Sequence, residues 1–377
     1  MFHAKWLDGI LMPSMTQRER FLKYMTFQSV DRIPLMEMGL WPETLERWHQ
    51  EGLSERVTDL RGLEKFLGLD VSFNLNWLSI DDNIHPAFPE KIIEETENAQ
   101  IVSDRLGVVY RWMKEGRSIP QYIRFPVEDE DDYEKLRPRL DGSSPSRYPS
   151  DFEQDLKLRQ EKGEVIGLNF RSFFGFPRGL MGFKNWCLAF YDQPSLVEKI
   201  MADRLQFAKQ LYARVLQTGL LDFVQVWEDM SYKTAPMISP QFVRKYMLPL
   251  YEELVNYFRK GGVQVIMVDT DGRVQELLPL FLEAGMDGTH PCEIAAGSDP
   301  LELRRQWPRA ALMGGMDKRA IAAGREGVDA ELERVKPLLA EGGYIPMLDH
   351  FVPPNVSYET YLYYVEARRK ALNQGAV

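Results

Sequence analysis

FVQVWED (223–229), QVIMVDTDG (264–272), MDGTHPCE (286–293), ALMGGMD (311–317) and YIPMLDH (344–350) are five short runs with one shared design. Each is largely apolar until its last residues and then ends in groups that titrate or bind. These are Glu228 and Asp229, Asp269 and Asp271, His290 and Cys292, Asp317, and Asp349 with His350. Working outward, VIGLNF (165–170), IPLMEMG (33–39) and DVSFNLN (70–76) bring the number of such runs to eight. Segments with helical spacing lie between most of them, at 194–217, 240–262 and 274–285. Strand runs alternating with helical runs signal βα units and a parallel sheet. Eight units in 377 residues, against roughly 250 for a typical case, predict an α/β fold, a TIM (β/α)8 barrel with insertions. A doubly wound open sheet is the rival, but no Gly-rich strand-to-helix turn supports it.

The chain, 1–377, reads as a single barrel domain with a strand-rich insertion around 80–150. KIIEETENAQIVSDRLGVVYRWMK (91–114) predicts two or three strands with turns near Glu97-Asn98 and Arg105–Gly107. A Pro-containing acidic stretch and a Ser/Pro/Arg loop follow. Thr16 with Glu19 three residues on has capping-box spacing and predicts a first helix over Thr16–Phe27. Ser239 followed by Pro240 predicts the start of another.

Composition narrows the function classes. With 46 basic against 56 acidic side chains the formal charge is −10, which opposes nucleic-acid binding through phosphate neutralisation. The cysteines are Cys187 and Cys292 alone, so no disulfide framework is expected and a reducing cytoplasm is the simplest compartment. No apolar run reaches about 18 residues, so no membrane partner is expected. The N-terminus lacks the long apolar region of a signal peptide.

In a parallel barrel all eight strand ends share one rim, where active sites sit. Carboxylates there are costly unless paired, protonated or bound. We therefore expect Glu228, Asp229, Asp269, Asp271 and His350 to be catalytic. Asp269, Asp271, His290, Cys292 and His350 offer oxygen, nitrogen and sulfur donors suited to Zn²⁺ or another divalent metal, although no CxxC or HExxH spacing supports it. Asp271 and Asp317 serve equally as helix caps, and His290 and Cys292 equally as buried structural residues. Trp41, Trp77, Phe176 and Trp227 would give the mouth an apolar wall for a flat or bulky ligand. Arg171 and Arg178 are the expected partners of ligand carboxylates, with surface salt bridges as the alternative. Tyr232 and Asp349 complete the expected substrate-binding set.

RERFLKYMTFQSVDRIP (18–34), GFPRGLMGF (175–183), DMSYKTAPMISPQFVRKYMLPLY (229–251), VDTDG (268–272), LMGGMDKRAI (312–321) and GYIPMLDHFVPPNVSYETYLYY (343–364) together resemble the uroporphyrinogen decarboxylase superfamily. The resemblance runs in order along nearly the whole chain and implies a TIM barrel and a homodimer. Its members include porphyrinogen decarboxylases and cobalamin-dependent methyltransferases, among them coenzyme M methylases and O-demethylase components. His350 falls where the decarboxylases carry a rim His and the zinc methyltransferases their last Cys ligand. Asp269 and Asp271 replace the His and Cys of the latter's HxCG motif, with Gly272 retained. MEMGLWPETLERW (36–48) puts Glu37 where decarboxylases have an Arg-rich loop that grips propionates.

Three readings follow. The first is corrinoid-linked methyl transfer, with substrate oxygen or nitrogen activated by an acid or metal at the rim and cobalamin delivered by a partner corrinoid protein. The second is decarboxylation of a porphyrinogen or related carboxylic acid. The third is a non-catalytic barrel that binds a tetrapyrrole or small molecule.

Overall fold

The computed structural model describes residues 15–72, 77–114 and 120–374. Strands β1 (Lys91–Glu95), β2 (Ala99–Ser103), β3 (Val109–Met113) and β4 (Gln121–Arg124) form one sheet. Strands β5 (Gly167–Arg171), β6 (Phe223–Trp227), β7 (Val265–Asp269), β8 (Gly288–Cys292), β9 (Ala311–Met316) and β10 (Tyr344–Leu348) form the other. The second sheet is parallel throughout, its strands adjacent in chain order. Four of its strands, β7 to β10, are buried along their whole length, as expected of a sheet covered on both faces.

The remaining two staves are extended segments rather than regular strands. Residues 33–41 lie beside the end of β10, through the parallel bridge Leu40–Val352. Asp70 N–H donates to Leu35 O at 2.9 Å, and Trp77 bridges Gly167 at the start of β5. The expected run at 70–76 falls partly outside the described residues. The ring is thus an eight-stave TIM barrel with an irregular seam. Pro34 has no N–H to give a ladder, and a side chain joins the stave to β10 in addition to the bridge at Val352. Glu37 is fully buried, and its Oε1 accepts from Leu348 N–H at 3.1 Å and Met38 N–H at 3.2 Å. Its Oε2 accepts from the Tyr364 hydroxyl at 3.1 Å and from Arg368 at 3.2 Å, and Arg368 also donates to Pro346 O at 3.0 Å. Tyr364 and Arg368 lie on the last helix, Tyr358–Gln374.

The expected helix at 194–217 forms as Pro194–Gln217. The 240–262 segment is broken into Pro240–Phe242, a π-helical turn Val243–Met247, and Leu248–Lys260. Pro249 cannot donate to the preceding turn, which accounts for the shifted hydrogen-bond pattern there. The 274–285 segment is helical only over Leu278–Glu283. Thr16 and Glu19 form the expected capping box.

The insertion leaves the barrel after residue 80 and returns before β5. Among the described residues it holds a four-strand antiparallel meander: three strands fall in 91–114, as expected, with both turns where predicted, and β4 lies beyond that stretch. Buried Arg147 fastens its base by donating to the carbonyls of Asp81, Asn83, Arg139 and Asp141. Among the described residues no helix is long and apolar enough to cross a membrane.

Removing one partner of a buried ion pair leaves the other charge uncompensated. Arg368→Met is therefore expected to cost about 3–5 kcal/mol in urea unfolding, and the double variant Glu37→Gln/Arg368→Met distinctly less. A single variant within about 1 kcal/mol of wild type would contradict the assignment of this pair as the seam.

Candidate active site

A cavity of about 470 Å³ opens over the C-terminal ends of the strands. It is lined by Met38, Gly39 and Leu40 of the first stave, Leu60, Asn169, Gln225, Trp227, Asp229, Asp269, Asp271, His350 and Phe351. Strand pleating explains the selection. Side chains two apart share a face, so Gln225, Trp227 and Asp229 point inward from β6 and its continuation, and Asp269 and Asp271 from β7. Register places Asn169 beside Gln225 and Trp227 beside Asp269.

The three aspartates occupy different environments. Asp229 is held by Arg178, which donates to its Oδ2 at 2.9 Å and to its carbonyl at 2.6 Å. Its φ of +43° is a left-handed conformation uncommon outside Gly. The N–H groups of both Glu228 and Asp229 donate to the Asp269 carbonyl. Asp271 faces His350, Oδ2 to Nε2 at 3.6 Å. Burial lowers the His350 pKa, but the hydrogen bond and charge of Asp271 outweigh it and the net shift is upward. Trp41 stacks on the imidazole with ring centres 5.9 Å apart. Asp269 is 8% exposed, and its Oδ2 accepts from the Gln225 side-chain amide. Burial, reinforced by the charges of Asp271 and Asp229, pushes its pKa well above the usual carboxylate range. Asp269 is thereby favoured as a neutral acid inside the cavity. Gly272 is required after it: φ is +80° and a Cβ would lie 2.7 Å from the Tyr232 carbonyl oxygen.

Of the expected catalytic residues, Asp229, Asp269, Asp271 and His350 meet at this cavity. Glu228 does not line it. It is fully buried and turned outward, where it accepts N–H groups from Phe173, Phe174 and Gly175 and the Tyr251 hydroxyl. Burial nonetheless raises its pKa. Its position is that of a carboxylate capping the start of the Gly175–Met181 helix.

The five-donor metal set does not assemble. Cys292 lies in the core with Leu312, Met313 and Tyr344, its thiol pushed up to about 12 by burial. His290 is buried and held neutral, its pKa pushed down to about 3 by the same cause. Asp269, Asp271 and His350 share the cavity, yet among the described residues no three His, Cys, Asp or Glu side chains converge as metal ligands. These residues do not fit the zinc site.

The expected substrate-binding residues divide similarly. Trp227 lines the cavity, and Trp41 stands at its rim, 42% exposed. Trp77 stacks on Phe223 at the opposite end of the strands. Arg171 is engaged by Asp82 and Asn83, and Phe176 is buried under the Arg204 guanidinium. Arg178 is engaged by Asp229, as above. Asp349 is buried and accepts N–H groups from Ile294 and Lys318. Tyr232 is exposed on a loop that packs against Gly272. Asp317 caps the Lys318–Ala322 helix. The lining residues Gly39, Leu40, Leu60, Asn169, Gln225 and Phe351 escaped the sequence reading. For Asn169 and Gln225 a signal existed: each is a polar amide inside an otherwise apolar strand.

A barrel with an acid-lined cavity over its strand ends defines a (β/α)8 protein with the usual location for chemistry. Residues 100–371 match the family described as Uroporphyrinogen decarboxylase (URO-D). The chain belongs to the URO-D family. Among solved structures it is similar to a methyltransferase from Methanosarcina mazei, at 14% identity and TM-score 0.52, covering 94% of this chain and 99% of that one. A B12-independent methionine synthase from Shewanella sp. W3-18-1 aligns at 15% identity and TM-score 0.46, covering 91% and 96%. No match was found among curated proteins.

An acid whose pKa is raised on folding keeps a proton that the unfolded chain releases above about pH 4. Stability is therefore intact below that pH and is lost as pH rises toward the folded pKa. Asp269→Asn removes the loss. It is expected to raise Tm at pH 7, with the gain shrinking to nothing near pH 4. A gain independent of pH, or a decrease that grows with pH, would show that Asp269 is not held as the neutral acid.

Proposed function

We propose that this URO-D family member is an enzyme of methyl transfer from substrate oxygen or nitrogen, with Asp269 as general acid. The observation that carries the reading is the buried Asp269, beside Asp229 and Asp271 at the cavity, whose burial favours the protonated carboxyl. A methyl group leaves oxygen or nitrogen readily only if that heteroatom gains a proton or a Lewis acid. Asp269 supplies the proton without a metal, and Gln225 holds its other oxygen. Asp271 raises the proton affinity of His350, which would favour a donor imidazole beside the leaving heteroatom, where negative charge would develop. Arg178 fixes the Asp229 wall.

A corrinoid carried by a partner protein would supply the methyl-accepting nucleophile. The residues that would meet it are Trp41 and Tyr232, two exposed aromatic side chains near the strand-end rim, which suit a flat macrocycle. The alternative, decarboxylation of a porphyrinogen, requires cations for several carboxylates. None of the cavity-lining residues is Lys or Arg, and Arg171 and Arg178 are already engaged by protein carboxylates.

The test is anaerobic methyl transfer from methoxyarenes and methylamines to reduced cobalamin. Wild-type turnover is expected, lost about 10²–10⁴-fold in Asp269→Asn. Its rate should fall on the alkaline side as Asp269 ionises. Release of CO2 from a porphyrinogen with no methyl transfer would establish the decarboxylase reading instead.

A further inference from the structure

The barrel floor holds two amides that the acid chemistry does not use. Asn169 on β5 and Gln225 on β6 are register partners and both line the cavity. Gln225 is 2% exposed and donates its Nε2 to Asp269, which fixes its amide orientation and leaves Oε1 as an acceptor. That oxygen and the Asn169 Oδ1 are both buried atoms with no hydrogen-bond partner among the described residues. Most buried acceptors in folded proteins are satisfied, and an unsatisfied one costs stability. Two such oxygens on neighbouring strands, both at the cavity, are what an absent donor group would occupy.

We infer that Asn169 and Gln225 form a specificity subsite that accepts hydrogen bonds from a substrate hydroxyl or N–H close to the leaving heteroatom. The inference rests on the methyl-transfer reading only for the identity of that heteroatom. Closeness follows from Gln225 itself, whose amide touches both the subsite and Asp269. A substrate lacking the donor leaves both carbonyls buried and unmet. Sites of this kind reject the analogue without the donor far more strongly than an apolar pocket rejects a missing methylene. The subsite also explains two polar residues inside buried strands, where apolar ones would pack without penalty.

The test compares equilibrium binding of 2-methoxyphenol with methoxybenzene, which differ only by the hydroxyl, to the full-length protein by calorimetry. Wild type is expected to bind the phenol about 100-fold more tightly. Asn169→Leu is expected to narrow that ratio to below about 10-fold, with folding checked by thermal melting. Gln225→Met provides a second variant should Asn169→Leu fail to fold. Equal or undetectable binding of both probes by wild type, or an unchanged ratio in a folded variant, would overturn the subsite. Binding is read without turnover, so a protein that discriminates the probes but transfers no methyl group refutes the reaction and leaves the subsite standing.

Discussion

The buried contact of Glu37 with Arg368 closes the barrel, and the site depends on that closure. A regular parallel barrel closes by ladder hydrogen bonds around the ring. Here the first stave contains a proline and offers a carboxylate instead. One oxygen of Glu37 takes the backbone of its own stave and of β10, while the other takes Tyr364 and Arg368 from the last helix. Met38, Gly39 and Leu40, which follow directly, form one wall of the cavity, and His350 lies two residues beyond the strand that Glu37 grips. The seam thus sets the distance across the mouth.

Around the cavity one residue type meets three different partners: Arg178, His350 and Gln225. Arg178 keeps Asp229 in a salt bridge, and His350 stands opposite Asp271. Asp269, deepest and flanked by the other two, has no cation of its own and favours its proton. Raising the proton affinity of a buried acid is how a site keeps a proton donor at neutral pH. Nothing in this division calls for a positive lining, which is why the cavity suits a substrate without several carboxylates.

Much of this was legible in the sequence. Eight apolar runs alternating with helical segments gave the barrel. Polar residues at the ends of those runs led to Asp229, Asp269, Asp271 and His350, which do share one cavity. Consecutive residues were the difficulty. Glu228 with Asp229, and Asp349 with His350, were read as pairs facing one hollow, but the pleat sends neighbours to opposite faces. Glu228 instead meets backbone N–H groups at a helix start, and Asp349 meets those of Ile294 and Lys318, each the first residue of a short helix. Cys292 and His290 sit in a buried stretch of β8, and no sequence pattern reveals that depth. The irregular first stave was hidden because it looks apolar and short like the others, while its partner in closure lies more than 300 positions away. Asn169 and Gln225 were visible as interruptions, but interrupted strands also arise from ordinary packing.

That separation has a consequence for how the protein is made. A ribosome delivers the chain from its amino end, at about 5–20 residues per second, so the stave bearing Glu37 exists long before the helix bearing Arg368. Until that helix emerges, Glu37 and the Pro346 carbonyl lack the Arg368 guanidinium that joins them in the folded chain. The last helix, the final described element of the chain, is therefore the clasp that completes the ring.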